Sequence, residues 1–327
     1  MAELPLVTDD ERSAILGAPR TSEAHRRLLG SLPAMNAVQT GGDASVKQLS
    51  GDLSVVAWNV ERCLFPEDSA AHVAEKKPDI VLLSEVDHGM ARTKQRHTTE
   101  EMAAALGMTY AFGVEFYEMD LGGETERAFC DDDFNVRGWH GNAILSSVPF
   151  ERVTMVRLDD HGHWFVPGDG DAGQPRVGGR NAILAVVPWG ETRLCVVSTH
   201  LESNSGADHR TDQFDLLMDA IDNFAPNLPV LIGGDLNTGN HIPPDYDWRA
   251  ETLFAAAEAR GYDWSFTADG MTTRPSLITP HPDRQMKLDW FCGRNLKCLS
   301  KQVVPSIGAG GRPLSDHDYI WTRVGKD

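Results

Sequence analysis

Several short apolar runs of this sequence end on side chains that bind metal ions or transfer protons. Asn59, Glu85, His200 and Asp235 each stand at the last residue of such a run or one position beyond it. A single polar residue at a strand end is usually a turn former, but four residues of these types are hard to attribute to turns. Rigid strand ends can bring polar groups together at one edge of a sheet without burying them unpaired. The pattern therefore predicts a site for metal-assisted or acid–base chemistry.

Two further motifs add carboxylates, an amide and an imidazole to this set. In GGDLN, Asp235 and Asn237 are two residues apart, so both side chains could hold and polarise a water molecule while the glycines let a ligand approach the backbone. The same D-x-N pattern also forms Asx turns. In SDH, Asp316 and His317 are adjacent, and His317 is the better candidate for proton transfer because imidazoles titrate near neutral pH. Asp289 in KLDWF is the predicted acceptor that orients it.

The oxygen-rich donor set predicts a hard divalent cation. Carboxylate and amide oxygens without thiolate partners select Mg²⁺ or Mn²⁺, and Glu85 and Asp316 suit that role. The cysteines are odd in number and have no C-x-x-C spacing, which argues against a disulfide framework and a thiolate zinc site; they are Cys63, Cys130, Cys195, Cys292 and Cys298. The other histidines of predicted loops are expected at the surface and include His161, His163 and His241.

The charge balance favours a small substrate over a long polyanion. The 327 residues include 48 acidic and 30 basic side chains, for a formal net charge of -18, whereas proteins that grip many phosphates usually carry the opposite balance. A local basic surface could still bind nucleic acid, and ARTKQRH at 91–97 is the main candidate. The alternative is that this segment is an ordinary solvated loop or helix face.

No apolar run approaches the roughly 20 residues that a membrane-spanning helix needs. The N-terminal residues include early acidic side chains and no uninterrupted apolar core, so a secretory signal is not expected and a cytoplasmic location is predicted.

The hydrophobic pattern predicts a mixed α/β domain over residues 51–327, preceded by an N-terminal arm over residues 1–50. Predicted strands are 53–59, 79–85, 141–147, 181–189, 193–200, 229–235, 287–293 and 317–324, and predicted helices are 67–76, 99–106, 209–224 and 249–260. The segment VVPWGETRL is a predicted hairpin that turns at Gly190. Strands mixed with helices in this way favour two packed sheets with helices outside.

The ordered motifs WNV, LLSEVD, GNAILS, STHLES, GGDLN, LDWF and SDH resemble those of the endonuclease/exonuclease/phosphatase superfamily, which has the DNase I-like fold. The resemblance spans roughly residues 52–324. It implies a four-layered α/β sandwich of two mixed sheets flanked by helices. It also implies hydrolysis of a phosphate ester by in-line attack of water, with Mg²⁺ or Mn²⁺ required.

By this resemblance, Asn59 and Glu85 line the principal metal site, and Asp316 helps to complete it or a second one. Asp235 with Asn237 would position the water or the leaving oxygen. His317, oriented by Asp289, would stabilise the phosphate or transfer a proton, and whether Asp235 or His317 is the base stays open. His200 in the STH motif would contact the scissile phosphate or protonate the leaving group, as in the DNase I and sphingomyelinase branches.

The substrate is less well defined by the sequence. The segments 86–140 and 158–180 are long, and the second matches no family motif. Both are either lids or specificity elements, or plain surface excursions. Arg180 could bind phosphate oxygens, and Asn142 could reach the same pocket. The favoured interpretation is a hydrolase of a small organic phosphate ester; the alternatives are a nuclease that uses residues 91–97 and a non-catalytic binding member of the fold. The complete set of motif residues speaks against the last, and the oligomeric state stays open.

Overall fold

Two mixed β-sheets form the centre of the protein. We describe them from a computed structural model that covers residues 1–44, 46–167, 175–242, 246–280 and 285–327. The described strands are β1 Val38–Gly42, β2 Leu53–Arg62, β3 Ile80–His88, β4 Thr109–Glu118, β5 Trp139–Ser146, β6 Arg152–Arg157, β7 Arg176–Gly178, β8 Asn181–Trp189, β9 Thr192–His200, β10 Val230–Asp235, β11 Asp289–Arg294, β12 Leu296–Val304 and β13 Tyr319–Lys326.

The strands divide into a large and a small sheet. The large sheet has the order β1-β4-β5-β3-β2-β13-β12, with β7 paired to β4, and the small sheet has the order β11-β10-β9-β8-β6. Within each sheet one central pair is parallel, β2 with β3 and β9 with β10. The predicted hairpin is confirmed: β8 and β9 pair up to Trp189 and Thr192, and Gly190 turns the chain with a φ of 56°.

Helices cover the outer faces of both sheets. They are α1 Asp9–Gly17, α2 Ser22–Ser31, α3 Pro66–Ala74, α4 Thr98–Leu106, α5 Glu124–Arg127, α6 Ala207–Phe224 and α7 Leu253–Ala259, with short 3-10 turns at Pro33–Asn36, Ala91–Thr93, Trp248–Ala250 and Ala309–Gly311. None of the helices in the described part of the chain has the length and apolar character needed to cross a membrane.

The alternation of side chains along each central strand produces a four-layered α/β sandwich. On β2, Val55 and Ala57 pack between the two sheets, whereas Val56 and Trp58 pack in the cluster that includes residues of α1 to α4. A third cluster lies between the small sheet and α6 and α7. Successive strand residues point to opposite faces, so strands that are apolar throughout must be covered on both sides. This confirms the fold predicted from the sequence.

All eight predicted strands are present, but three segments differ from expectation. Residues 86–140 are not a long loop, because besides the predicted helix, which is present as α4, they contain the unpredicted ten-residue strand β4 of the large sheet. The helix predicted at 249–260 is a 3-10 turn followed by the shorter helix α7. In the segment 158–180, residues 158–167 and 175–180 are described, and Phe165 is fully buried, so the described part packs against the core.

The residues before β2 contact the large sheet. Strand β1 pairs with β4, with Val38 opposite Gly113, and Ile15 and Leu29 belong to the same apolar cluster as Trp58. The sequence predicts a boundary at residue 51 between an arm and a domain. In the structure, residues on both sides of this boundary share one apolar core.

Candidate active site

Three strand ends of the small sheet place polar side chains in one row. The register pairs Asp235 of β10 with His200 of β9 on one side and with Asp289 of β11 on the other. All three side chains are at least 98% buried. The sheet itself therefore brings an imidazole and two carboxylates together, although they are far apart in sequence.

The large sheet contributes a second row that faces the first. Asn59 lies in β2 opposite Ser84 of β3, and Glu85 follows. The segment before β13 is fixed to β2 at two points: Ser315 Oγ donates to the Asn59 carbonyl at 2.6 Å, and Trp58 Nε1 donates to the His317 carbonyl at 2.9 Å. These bonds hold the SDH motif beside Asn59.

Asp235 stands at the centre of the combined site. Its Oδ2 accepts a hydrogen bond from Asn59 Nδ2 at 3.0 Å and lies 3.6 Å from His200 Nε2 and 3.7 Å from His317 Nε2. Its Oδ1 accepts from the backbone N–H of Asn237 at 2.8 Å. One carboxylate thus faces two imidazoles while its other oxygen is fixed by the chain.

His317 is held by Asp289, as the sequence predicts for their positions. Its Nδ1 lies 2.7 Å from Asp289 Oδ2, and its Nε2 lies 4.0 Å from Asp316 Oδ1. Burial acts to lower the pKa of His317, but the carboxylates of Asp289, Asp235 and Asp316 raise it well above the ordinary value. These carboxylates therefore favour the protonated form of the imidazole.

His200 is held from behind by a buried ion-pair group. Its Nδ1 lies 3.3 Å from Glu115 Oε2, and Arg180 Nη1 lies 2.9 Å from Nδ1 and 3.0 Å from Nε2. Burial and Arg180 act to lower the pKa of His200, yet Glu115 and Asp235 outweigh them and raise it. Burial acts to raise the pKa of Glu115, but His200 and Arg180 lower it to about 2.

Arg180 differs from its predicted position at an open phosphate site. Its guanidinium also bonds Glu202, at 3.1 Å from Nε, and Ser203 Oγ, at 3.0 Å from Nη2. The side chain is 5% exposed. With its donors taken up by Glu115, Glu202 and Ser203, Arg180 is placed to fix His200.

Asp316 lies beside a further carboxylate, Glu61, which the sequence analysis did not single out. The backbone N–H of Asp316 donates to Glu61 Oε2 at 3.1 Å, and Ser276 Oγ donates to Glu61 Oε1 at 2.6 Å. Burial and the charge of Asp316 raise the pKa of Glu61 to about 8. Burial also raises the pKa of Asp316 to about 6, with His317 opposing and Glu85 adding to the rise. Carboxylates that repel one another in a buried place suit a divalent cation with oxygen ligands.

The backbone at the end of β2 turns sharply to reach this place. Glu61, Arg62 and Cys63 have φ values of 42°, 73° and 60°, and Glu85 has a φ of 59°. Such left-handed conformations are uncommon for residues other than glycine and occur often at functional sites. The guanidinium of Arg62 bonds both Glu85 and Glu126. Burial acts to raise the pKa of Glu85, but Arg62 keeps it well below the ordinary value.

The two glycines of the GGDLN motif allow close packing rather than ligand access. A Cβ on Gly233 would lie 2.5 Å from Phe291 and 2.9 Å from Leu82, and a Cβ on Gly234 would lie 1.9 Å from the Thr199 carbonyl. The expectation that these glycines open the backbone to a ligand is therefore wrong. Asn237 has a φ of 51° and uses its amide to bond the Leu201 carbonyl and Asn240, at 2.9 and 2.8 Å.

Asn142 lies between the two sheets. Its Nδ2 donates to the side chain and the carbonyl of Asn181, at 2.8 and 3.2 Å, and the side chain is fully buried. It therefore joins β5 to β8 next to Arg180, rather than facing an open pocket as predicted.

The segment 91–97 is not a basic surface. Arg92 is fully buried and bonds Asp87, Glu118 and Glu126 at 2.8 to 2.9 Å. The other cations of the segment also have acidic partners: Lys94 pairs with Asp131, and Arg96 pairs with Glu67 and Glu101. The proposed basic rim for nucleic acid is therefore wrong, because the guanidinium groups neutralise the protein's own carboxylates.

Glu61 and Glu115 are the site residues that the sequence analysis missed. Glu61 stands two positions after Asn59 in WNVE, a spacing that returns to the same strand face. Glu115 lies in β4, where Tyr110, Phe112 and Val114 alternate with smaller residues. That period of two predicts a strand with a polar residue on its other face.

Two facing sheets between helical layers, with a polar site where strand ends of both sheets meet, define a DNase I-like sandwich. The model of the Endonuclease/Exonuclease/phosphatase family matches residues 56–317. The chain belongs to this family, whose members are generally hydrolases of phosphate esters.

Solved structures agree on the fold. An endonuclease/exonuclease/phosphatase from Beutenbergia cavernae is 19% identical with a TM-score of 0.58, covering 84% of this chain and 72% of that one. The human Nocturnin catalytic domain with bound sulfate is 16% identical with a TM-score of 0.56, covering 89% and 97%. D. rerio TDP2 complexed with a single-strand DNA product is 17% identical with a TM-score of 0.53, covering 84% and 99%. A search of curated proteins gave no significant match.

Proposed function

We propose that this protein is a divalent-metal-dependent phosphoesterase that hydrolyses a small organic phosphate ester by in-line attack of water. The observation that carries the proposal is the position of Asp235, whose Oδ2 faces Asn59, His200 and His317 within 3.0 to 3.7 Å. A carboxylate between two imidazoles can take a proton on one side of a phosphate while a proton is supplied on the other.

The proposed metal is Mg²⁺ or Mn²⁺. Asn59, Glu61, Glu85 and Asp316 offer oxygen donors, which fit either ion. When bound, the ion supplies Lewis-acid polarisation of the phosphate and offsets its charge. Burial, with the charge of neighbouring carboxylates adding to it, raises the pKa of Glu61 and Asp316, and this supports a cation at this place.

The proposed base is Asp235. Both imidazoles have a raised pKa, which favours their protonated forms and leaves Asp235 as the acceptor that faces them. Asp235, fixed by Asn59 and by the N–H of Asn237, would take the proton of the attacking water. His200 would protonate the leaving oxygen, and His317 would stabilise the charge on the phosphate. A phosphomonoester would give an alcohol and inorganic phosphate, and a phosphodiester would give an alcohol and a phosphomonoester.

Chelation should abolish the activity. We expect turnover to vanish in EDTA and to return with Mg²⁺ or Mn²⁺, because the ion would supply the Lewis-acid polarisation of the phosphate, which the imidazoles do not provide. Glu85→Gln should raise the metal concentration for half-maximal activity by at least about 10-fold. The exposed Glu75→Gln is the matched control and should not change it. Full turnover after exhaustive chelation would contradict the mechanism.

The substrate should be small. The net charge of -18 and the neutralised cations of residues 91–97 both disfavour a long polyanion. Rates should therefore be higher on small phosphomonoesters, phosphodiesters or lipid headgroup esters than on plasmid or short DNA at physiological salt. Faster cleavage of DNA, with binding that weakens steeply as salt rises, would instead identify a nuclease.

A further inference from the structure

A second cluster of metal-binding side chains lies outside the active site, where the chain leaves β6. Asp159 is buried there, and the preceding residue, Leu158, donates its N–H to the Arg180 carbonyl at 2.7 Å. His163 follows four residues later, and His209 lies in the first turn of α6. The cluster therefore joins two segments that are about fifty residues apart.

Two imidazoles converge on one oxygen of Asp159. His163 Nε2 and His209 Nε2 each lie 3.1 Å from Asp159 Oδ2, and the two ring centroids are 5.1 Å apart. The three donor atoms all lie within 4.8 Å of one another. Ligand bonds of 2.0 to 2.1 Å in a tetrahedral zinc site place neighbouring donors about 3.3 Å apart, so small rotations of these side chains would complete the geometry.

The surroundings of Asp159 also suit a metal centre. Its other oxygen, Oδ1, accepts from the backbone N–H of His161 at 2.7 Å and lies 3.1 Å from His161 Nδ1, which orients the carboxylate. A cavity of about 360 Å³, lined in part by Asp159, His161 and His209, opens to the cluster. An ion can therefore reach the donors from solvent, and a water molecule or the half-exposed His161 can take a fourth position.

We propose that Asp159, His163 and His209 form a zinc site that is separate from the catalytic centre and fastens the 158–167 segment to α6. Imidazole donors favour Zn²⁺ over Mg²⁺, whereas the oxygen donors beside Asn59 favour Mg²⁺ or Mn²⁺. The two centres therefore select different ions at the same time.

The fastened segment is connected to His200 through one carboxylate. Trp164, next to His163, points its Nε1 at both oxygens of Glu202 at 3.3 Å. Glu202 in turn bonds Arg180, whose guanidinium lies against His200. Zinc at the cluster would hold Trp164 against Glu202 and thereby stabilise the Glu202–Arg180 ion pair that lies against His200.

The test measures zinc binding directly, in saturating Mg²⁺ so that the catalytic centre is blocked. Wild-type protein should bind one equivalent of Zn²⁺ by calorimetry, and Zn²⁺ at about 1,000 times Kd should raise Tm by about 5 °C. Co²⁺ should give the visible absorption of a four-coordinate centre. His163→Gln, His209→Gln and Asp159→Asn should each weaken zinc binding by at least about 100-fold.

The exposed His241→Gln is the matched control and should bind zinc as the wild type does. Melting in EDTA shows whether each variant folds. If Asp159→Asn does not fold, His209→Gln, whose site lies on a regular helix, still tests the proposal. Equal zinc binding by His209→Gln and His241→Gln would overturn the proposal. Loss of the single zinc equivalent in Glu85→Gln would also overturn it, because the ion would then belong to the catalytic centre. If the wild type binds no zinc, the three residues form a hydrogen-bonded cluster only, and the proposal is wrong.

Discussion

Asp235→Asn should lower kcat by about 100- to 10,000-fold, and His317→Gln should do the same. The asparagine keeps the shape of Asp235 but cannot accept the proton of the attacking water. In the wild type, Asp289 Oδ2 lies 2.7 Å from His317 Nδ1. A glutamine at position 317 can still donate a hydrogen bond toward Asp289, but it cannot carry the positive charge of the imidazolium. In Asp235→Asn the amide oxygen can keep the bond from the Asn237 N–H, but the amide nitrogen then faces the Asn59 donor, so the melting curves must accompany the rates.

The double variant should be scarcely slower than the slower single variant. The two side chains face each other across 3.7 Å and serve one transition state, and groups that act as a unit are strongly non-additive. The measurement is kcat for the wild type, both single variants and the double variant on one substrate, with melting curves of each. Exposed Asp269→Asn and His241→Gln are the matched controls. A single variant that keeps more than about a tenth of the wild-type rate would remove that residue from the mechanism, and multiplied losses would indicate independent roles.

The folded protein should lose about 4 kcal/mol of unfolding free energy between pH 7 and pH 5 through two stacked histidines. The rings of His88 and His97 lie 3.7 Å apart at 14°, and both nitrogens of His97 lack a hydrogen-bond partner among the described residues. Burial, then the neighbouring His97 and Arg137, lower the pKa of His88 to about 2, and burial and Arg137 lower the pKa of His97 to about 3.

The sign follows from which state takes up protons. Below about pH 6.5 the unfolded imidazoles are protonated, whereas the folded pair stays neutral, so stability is complete above pH 6.5 and is lost as the pH falls. Each histidine contributes about 1.4 kcal/mol per pH unit in that range.

Urea unfolding at pH 7, 6, 5 and 4 measures this effect. The double variant His88→Phe/His97→Phe packs aromatic rings against Phe112 and Trp139. It should lower the slope of the unfolding free energy against pH by the amount that corresponds to about two protons. His241→Gln, whose imidazole is exposed, should keep the slope of the wild type. A slope that is unchanged in the double variant would show that other groups control the acid sensitivity.

The central strands and the residues that end them could be predicted because one local signal determines both. A run such as PVLIGGD is apolar on both faces and so must lie between two layers, and the polar residue that ends it must lie at the sheet edge. Asp235, His200 and Asp289 then meet because of strand register. Local patterns alone do not show which strands lie side by side. The order of the motifs along the chain indicated this through the family resemblance.

The buried charged side chains that surround the site residues could not be predicted in the same way. Arg92 in ARTKQRH has the sequence context of a surface cation, yet three carboxylates from other segments surround it. Glu115 likewise becomes meaningful only beside Arg180 and His200. Burial of a charge depends on partners that are distant in sequence. For the same reason His163 was expected at the surface, although it lies beside Asp159 and His209 in the structure.

The bond from Trp58 to the His317 carbonyl joins residues 259 positions apart, and this has a consequence during protein synthesis. Ribosomes add about 5 to 20 residues per second, so roughly 13 to 52 s pass between the two residues. In this interval the growing chain carries Asn59, Glu85 and, later, Asp235, but not the segment that closes the site. A nascent or prematurely released chain that lacks residue 317 should therefore be unable to attack cellular phosphate esters. The proposed activity would therefore arise only after residue 317 has been added and this bond has formed.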